Sequence, residues 1–145
     1  MIENWRALVV AEALSWDRTP YHHAGRIKGV GVDCAMLPAE VYKVAGLPHL
    51  QPPEYSLDWH LNREEERLKD WVDRFAVQLP AGWLPQPADL VLYRFGRCYS
   101  HTAIVIAWPR VIHAVRQYGQ VMQDDGEQYG GARPRLFYEF KGTAK

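Results

Sequence analysis

Three side chains in this sequence are of the types that carry nucleophilic acyl chemistry: Cys34 and two histidines twelve positions apart, His101 and His113. Cys34 follows a glycine-bearing loop, Tyr21 to Val32, with Gly25, Gly29 and Gly31, and falls in the first turn of a predicted helix. Free backbone N–H groups and the helix dipole favour negative charge at such a place. The position therefore predicts a thiol of lowered pKa, and the thiolate is the attacking species. The same position fits equally well a buried structural cysteine, the commoner fate of a lone Cys.

A cysteine nucleophile needs an imidazole to take its proton and later deliver one to the leaving amine. His101 opens a predicted strand, in Cys98-Tyr99-Ser100-His101-Thr102-Ala103, and His113 lies in Val111-Ile112-His113-Ala114. If the hairpin is centred on Ala107, the two histidines stand directly opposite on one face, about 5 Å apart at Cα, and His113 can orient His101. A two-residue turn at Trp108-Pro109 would put them on opposite faces. Taken singly, each histidine reads as an ordinary satisfied polar residue, and the even spacing is what pairs them. Tyr21 could line the site near Cys34, or be an ordinary half-buried tyrosine. Asp33 reads as a helix cap. Cys98 reads as an incidental thiol near a turn, with a place at the cleft rim as the alternative.

No metal and no cofactor is expected. His22, His23, Cys34, Cys98 and His101 include no recognised zinc spacing such as Cys-x-x-Cys or His-Glu-x-x-His. Two cysteines make no disulfide framework in a chain of 145 residues, and free thiols in a reducing compartment are the default.

The elements that must position these groups can be read along the chain. Residues 2 to 16 look helical, with Trp5, Leu8, Val9, Ala13 and Trp16 as one buried stripe. A second helix is predicted from Asp33 toward Ala45, stopped by Gly46, with Pro38 expected to kink or shorten it. Residues 47 to 61 read as an irregular loop. A third helix is predicted with Asn62 as cap, Leu68, Trp71, Val72, Phe75 and Leu79 as its buried face, and Pro80 as its stop. Strands follow at Asp89 to Phe95, His101 to Ala107, Arg110 to Val115 and Arg135 to Phe140, with a weaker one starting at Gln120. Helices first and a mostly antiparallel sheet after them is an α+β order. Trp5, Trp16 and Trp71 fall on core faces, whereas Trp59, Trp83 and Trp108 lie in or near loops.

The length fits one domain spanning 1–145. Lys+Arg and Asp+Glu are equal at 17 each, so the basic excess that a duplex-binding domain uses on phosphates is missing, and nucleic acid is excluded as an expected partner. The start, Met-Ile-Glu-Asn-Trp-Arg, has neither the basic start nor the apolar stretch of a secretory signal, and no run is apolar enough to cross a bilayer. The expectation is synthesis in the cytoplasm and no membrane partner.

With these pieces placed, the chain resembles the NlpC-type family of cell-wall cysteine peptidases, in particular its phage-tail branch. The resemblance runs from about Trp16 to about Phe140. It rests on Thr19-Pro20-Tyr21, Gly29-Val30-Gly31-Val32-Asp33-Cys34, Pro87-Ala88-Asp89-Leu90-Val91-Leu92-Tyr93, Ser100-His101-Thr102-Ala103-Ile104 and Val111-Ile112-His113-Ala114. It implies a circularly rearranged papain-like fold, a nucleophile-bearing helix packed on an antiparallel sheet. It also implies hydrolysis of amide bonds in peptidoglycan stem peptides without a cofactor. By position Cys34 resembles the nucleophile, His101 the base, His113 the residue that orients it, and Tyr21 a tyrosine that assists the oxyanion. Relatives usually follow Asp-Cys with Ser-Gly; here Ala35 and Met36 stand there, and Pro38 is a second departure. The implied setting is a phage or phage-like tail, with tail proteins as partners. The alternative is a structural tail-assembly protein that keeps the fold with little or no activity.

Overall fold

Apolar residues at helical steps open the chain, and they form helix α1, Trp5–Ser15, which buries Val9 and Ala13. The computed structural model describes residues 4–46, 52, 66–131 and 133–140. The expected cap Asn62, Trp59 and most of the proline-rich stretch after Gly46 lie outside the described residues. The segment read as a glycine loop contains a small antiparallel ribbon, β1 (Arg26–Ile27) paired with β2 (Gly31–Val32). Helix α2 spans Met36–Val41 and tightens into a 3-10 turn over Tyr42–Ala45. Gly46, at φ 94°, takes the left-handed conformation that ends it.

Helix α3 covers Arg67–Phe75 and buries Leu68, Trp71, Val72 and Phe75 as the periodicity predicts. It stops four residues short of Leu79. The chain instead becomes strand β3, Ala76–Gln78, and Leu79 donates its N–H to the Phe137 carbonyl at 2.8 Å. Pairing with the sheet overrides the helical period there, and Pro80 terminates an edge strand rather than a helix.

The remaining strands are β4 (Leu90–Phe95), β5 (Cys98–Ala107), β6 (Arg110–Val115), β7 (Gln120–Asp125) and β8 (Arg135–Phe140). β5 begins three residues before His101, so His101 lies inside the strand rather than at its start. The sheet order is β3-β8-β4-β5-β6-β7, antiparallel throughout. The helices and this sheet make the expected α+β, papain-like architecture.

Strand alternation divides the sheet into two faces. Leu90, Leu92, Ile104, Ile112 and Ala114 join the helices in the main core, and Met36 is buried with them. Val91, Tyr93, Ala103, Val105 and Val111 form a smaller core on the other side, covered by Trp108, Tyr129 and Phe137. Arg6 ties α1 to the sheet, donating to Pro87 O at 2.7 Å, Asp89 at 2.8 Å and Glu139 at 2.6 Å. Tyr42 adds a hydrogen bond to the Ala88 carbonyl at 2.8 Å. Ala88 and Asp89, at the entry to β4, thus anchor the segment after α2 and helix α1 respectively.

Candidate active site

Asp33 organises the segment that presents Cys34. One carboxylate oxygen accepts from the backbone N–H groups of Ala35 at 3.2 Å and Met36 at 3.0 Å, the cap predicted from sequence. The other accepts from Ala24 N–H at 2.6 Å and pins the glycine loop beside the helix start. Within the loop Gly31 is required where its two arms meet, because a Cβ there would lie 2.7 Å from the Cβ of His22. Leu37 N–H bonds the Asp33 carbonyl at 3.0 Å, and the next carbonyl, that of Cys34, would take its helical hydrogen bond from residue 38. Residue 38 is proline and has no N–H. The Thr102 hydroxyl of β5 donates to the Cys34 carbonyl instead. Pro38 does not unseat Cys34; it leaves open an acceptor by which the sheet holds that residue.

Cys34 is half-buried as a residue, and its sulfur lies 3.7 Å from the carbonyl oxygen of Ser100. Cys34 therefore meets β5 at the residues on either side of His101. Its acidity departs from the expectation. Burial first, and the Asp33 carboxylate second, push the thiol up to about 12, against the opposing pull of backbone hydrogen bonds from Thr102 and Cys34. Helix α2 has only six residues, so its dipole is small beside the full charge next door. Burial and the Asp33 charge thus both favour the neutral thiol over the thiolate.

The histidines meet, by a route other than the one expected. The turn is the two-residue one at Trp108-Pro109, with Ala107 opposite Arg110. By itself that turn would separate the histidines onto opposite faces. A bulge at Ile106 inserts one residue and restores the parity, so that Ile104 faces Ile112. Extended along the strands, this register sets His113 opposite Ala103 and leaves His101 its diagonal neighbour, within reach of a ring. His101 Nε2 lies 2.9 Å from His113 Nδ1, and both rings are buried.

The register also delivers a residue not singled out in the sequence. His113 Nε2 lies 3.0 Å from a carboxylate oxygen of Asp124 on β7. Tyr118 donates its hydroxyl to the same oxygen at 2.5 Å, and Asp125 N–H donates to the other at 2.8 Å. Burial would raise the Asp124 carboxyl, but the bonds from Tyr118, His113 and Asp125 outweigh it and hold the pKa below the ordinary value. Burial lowers that of His113 despite the carboxylate beside it. The legible signal was the strand starting at Gln120: since His113 faces Met122, Asp124 two residues on shares its face. Tyr129 stands against both imidazoles, with ring centroids 5.2 Å from His101 and 4.6 Å from His113.

Tyr21 is partly buried and threaded between the two halves of the site. Its N–H donates to Gly119 O at 2.9 Å, beyond the end of β6, while its backbone bridges Val32, two residues before Cys34. Burial, then Cys34 and Asp33, raise the phenol far above its ordinary pKa, so its hydroxyl stays a donor. Cys98 is fully buried and forms no disulfide, so it lines no rim. Trp16 and Trp71 are buried, Trp108 packs on Phe137 at 4.9 Å, and Trp83 is exposed. Among the described residues no group of three or more His, Cys, Asp or Glu is placed to hold a metal ion.

No family model and no curated protein matches this sequence. Solved structures do match its shape. The NlpC/p60 domain of the peptidoglycan hydrolase SagA superposes with a TM-score of 0.64 over 90% of this chain and 96% of that one, at 20% identity. The fold is that of NlpC/p60 domains. RipD of Mycobacterium tuberculosis, described as a non-catalytic NlpC/p60 protein adapted to peptidoglycan binding, gives a TM-score of 0.62 at 17% identity, covering 95% and 98% of the two chains. RipB, a peptidoglycan hydrolase of the same organism, gives 0.64 at 17% identity over 94% of this chain and 64% of that one. At these identities the likeness is one of fold.

Proposed function

We propose that this protein is a cysteine peptidase or amidase that hydrolyses amide bonds in peptidoglycan stem peptides, with Cys34 as nucleophile, His101 as base and His113 as the residue that orients it. The observation that carries the reading is the hydrogen-bonded imidazole pair at 2.9 Å, whose His101 lies on the strand from which Ser100 and Thr102 contact Cys34. The NlpC/p60 fold and the motifs around Cys34 and the histidines supply the substrate class. Because burial and the Asp33 carboxylate favour the neutral thiol, the reaction starts from S–H rather than from a stored thiolate. The proton passes from sulfur to the His101 imidazole as the S–C bond forms. The oxyanion is met by the Cys34 N–H and by the Tyr21 hydroxyl, which burial keeps protonated. Collapse expels the amine, which takes the proton from His101 and leaves a thioester. Water, deprotonated by His101, then attacks to release the carboxylic acid and the thiol. The setting we propose, a phage or phage-like tail, is supported by the motif resemblance alone.

The test is digestion of purified peptidoglycan by wild type and Cys34→Ala, with mass spectrometry of the soluble fragments. Fragments released by the wild type only, with new amine and carboxyl ends, are expected. Silence from both folded proteins would overturn the peptidase reading in favour of a structural tail protein.

A further inference from the structure

We infer that Asp124 is a positioning residue that fixes the tautomer of both histidines and so leaves Nδ1 of His101 as the basic atom. The inference deepens the proposed peptidase function and rests on it for its catalytic meaning, but the proton arrangement can be checked without any substrate.

The argument is one of donors and acceptors. An ionised carboxylate only accepts hydrogen bonds. Asp124 is kept ionised by three donors, the Tyr118 hydroxyl, the Asp125 N–H and His113. At 3.0 Å from this oxygen, His113 Nε2 must carry the proton. A neutral His113 then has a bare Nδ1, which can only accept. The 2.9 Å contact with His101 Nε2 therefore needs the proton on His101. A neutral His101 protonated at Nε2 has its lone pair on Nδ1, the remaining ring nitrogen. Without Asp124, either ring can hold its proton on either nitrogen, and the reversed chain puts the His101 proton on Nδ1, where it cannot act as base.

Tyr129 packs edge-on against His113 and tilted against His101, and Tyr93 and Phe95 flank His101. These rings restrict the orientation of the imidazoles but do not choose a tautomer. Tyr118 shares the Asp124 oxygen and lies against His113, so its hydroxyl holds the carboxylate in place. Asp124 is thus the only group among these whose charge dictates where the protons sit.

The test reads histidine ring ¹⁵N shifts by long-range proton–nitrogen correlation in wild type, Asp124→Asn and Asp124→Ala near pH 7.5. Wild type should show both rings protonated at Nε2 and bare at Nδ1. In the variants the His113 and His101 signals should move toward mixed or Nδ1-protonated forms. On peptidoglycan, kcat should fall roughly 10²-fold or more, the scale of a general-base contribution, with KM little changed. A wild-type spectrum with Nδ1 protonated on either ring overturns the inference, whether or not the variants fold. So does an unchanged His101 tautomer in a folded Asp124 variant. Expected tautomers in a wild type that digests nothing would uphold the proton arrangement and defeat the peptidase reading separately.

Discussion

At Cys34, the proposed nucleophile, burial and the Asp33 charge push the thiol pKa opposite to the direction that its position suggests. The sequence showed the cap residue Asp33 and the start of a helix, but not that the thiol would be desolvated with the cap's own charge adjacent. Since the thiol is pushed up to about 12, alkylation of Cys34 by iodoacetamide should climb steadily from pH 6 to 9 without a plateau, read by peptide mass spectrometry. A plateau beginning below pH 7 would show a stored thiolate instead. Cys98 is fully buried and should label only on unfolding, which provides an internal control. At Tyr21 the environment is again decisive, because burial turns a residue that could be filler into a permanently protonated donor. Tyr21→Phe should retain the fold and lower kcat about 10-fold or more, as expected for losing one oxyanion donor. Unchanged turnover would remove Tyr21 from the mechanism.

At the scale of elements, the strands, α1 and the buried stripe of α3 were legible because period-two and period-3.6 patterns are local. Whatever depended on partners was not. Leu79 fits a helical period, yet pairing with β8 wins. The hairpin centred on Ala107 is not the one that forms: the turn has two residues, and the bulge at Ile106 that brings the histidines to one face leaves no mark in a run of apolar residues. Asp124 is not legible in the sequence because its place beside His113 exists only once β7 pairs with β6. Pro38 was visible as an anomaly, and its sense lies in the Thr102 hydroxyl across from it. This latch between α2 and β5 can be measured. Thr102→Val should cost about 1–3 kcal/mol by stranding a buried acceptor in denaturant unfolding. In a Pro38→Ala background, the backbone N–H restored at that position can satisfy the Cys34 carbonyl, so the same substitution should cost less. Equal costs in the two backgrounds would mean that the proline and the hydroxyl are uncoupled.

For the molecule as a whole, the arrangement of buried titratable groups sets how it tolerates acid. His113 is wholly buried and has its pKa lowered from 6.5, so the folded state binds its proton less readily than the unfolded chain does. Once pH falls below 6.5, the unfolded state gains a proton that the folded one refuses, and stability declines. Asp124 and Glu40 are shifted downward as well, from 3.8 and 4.5. Their stabilisation is present above those ordinary values and is lost as pH falls through the lower folded ones. The contributions have one sign and arrive in order, His113 first and the carboxylates later. Thermal unfolding followed by circular dichroism from pH 8 to 3 should show Tm level above pH 7, a first decline beginning near 6.5, and a steeper one below 4.5. His113→Gln should remove the first decline and leave the second. A wild-type Tm that stays flat down to pH 5 would mean that His113 titrates alike in both states, against the buried neutral imidazole on which the site depends.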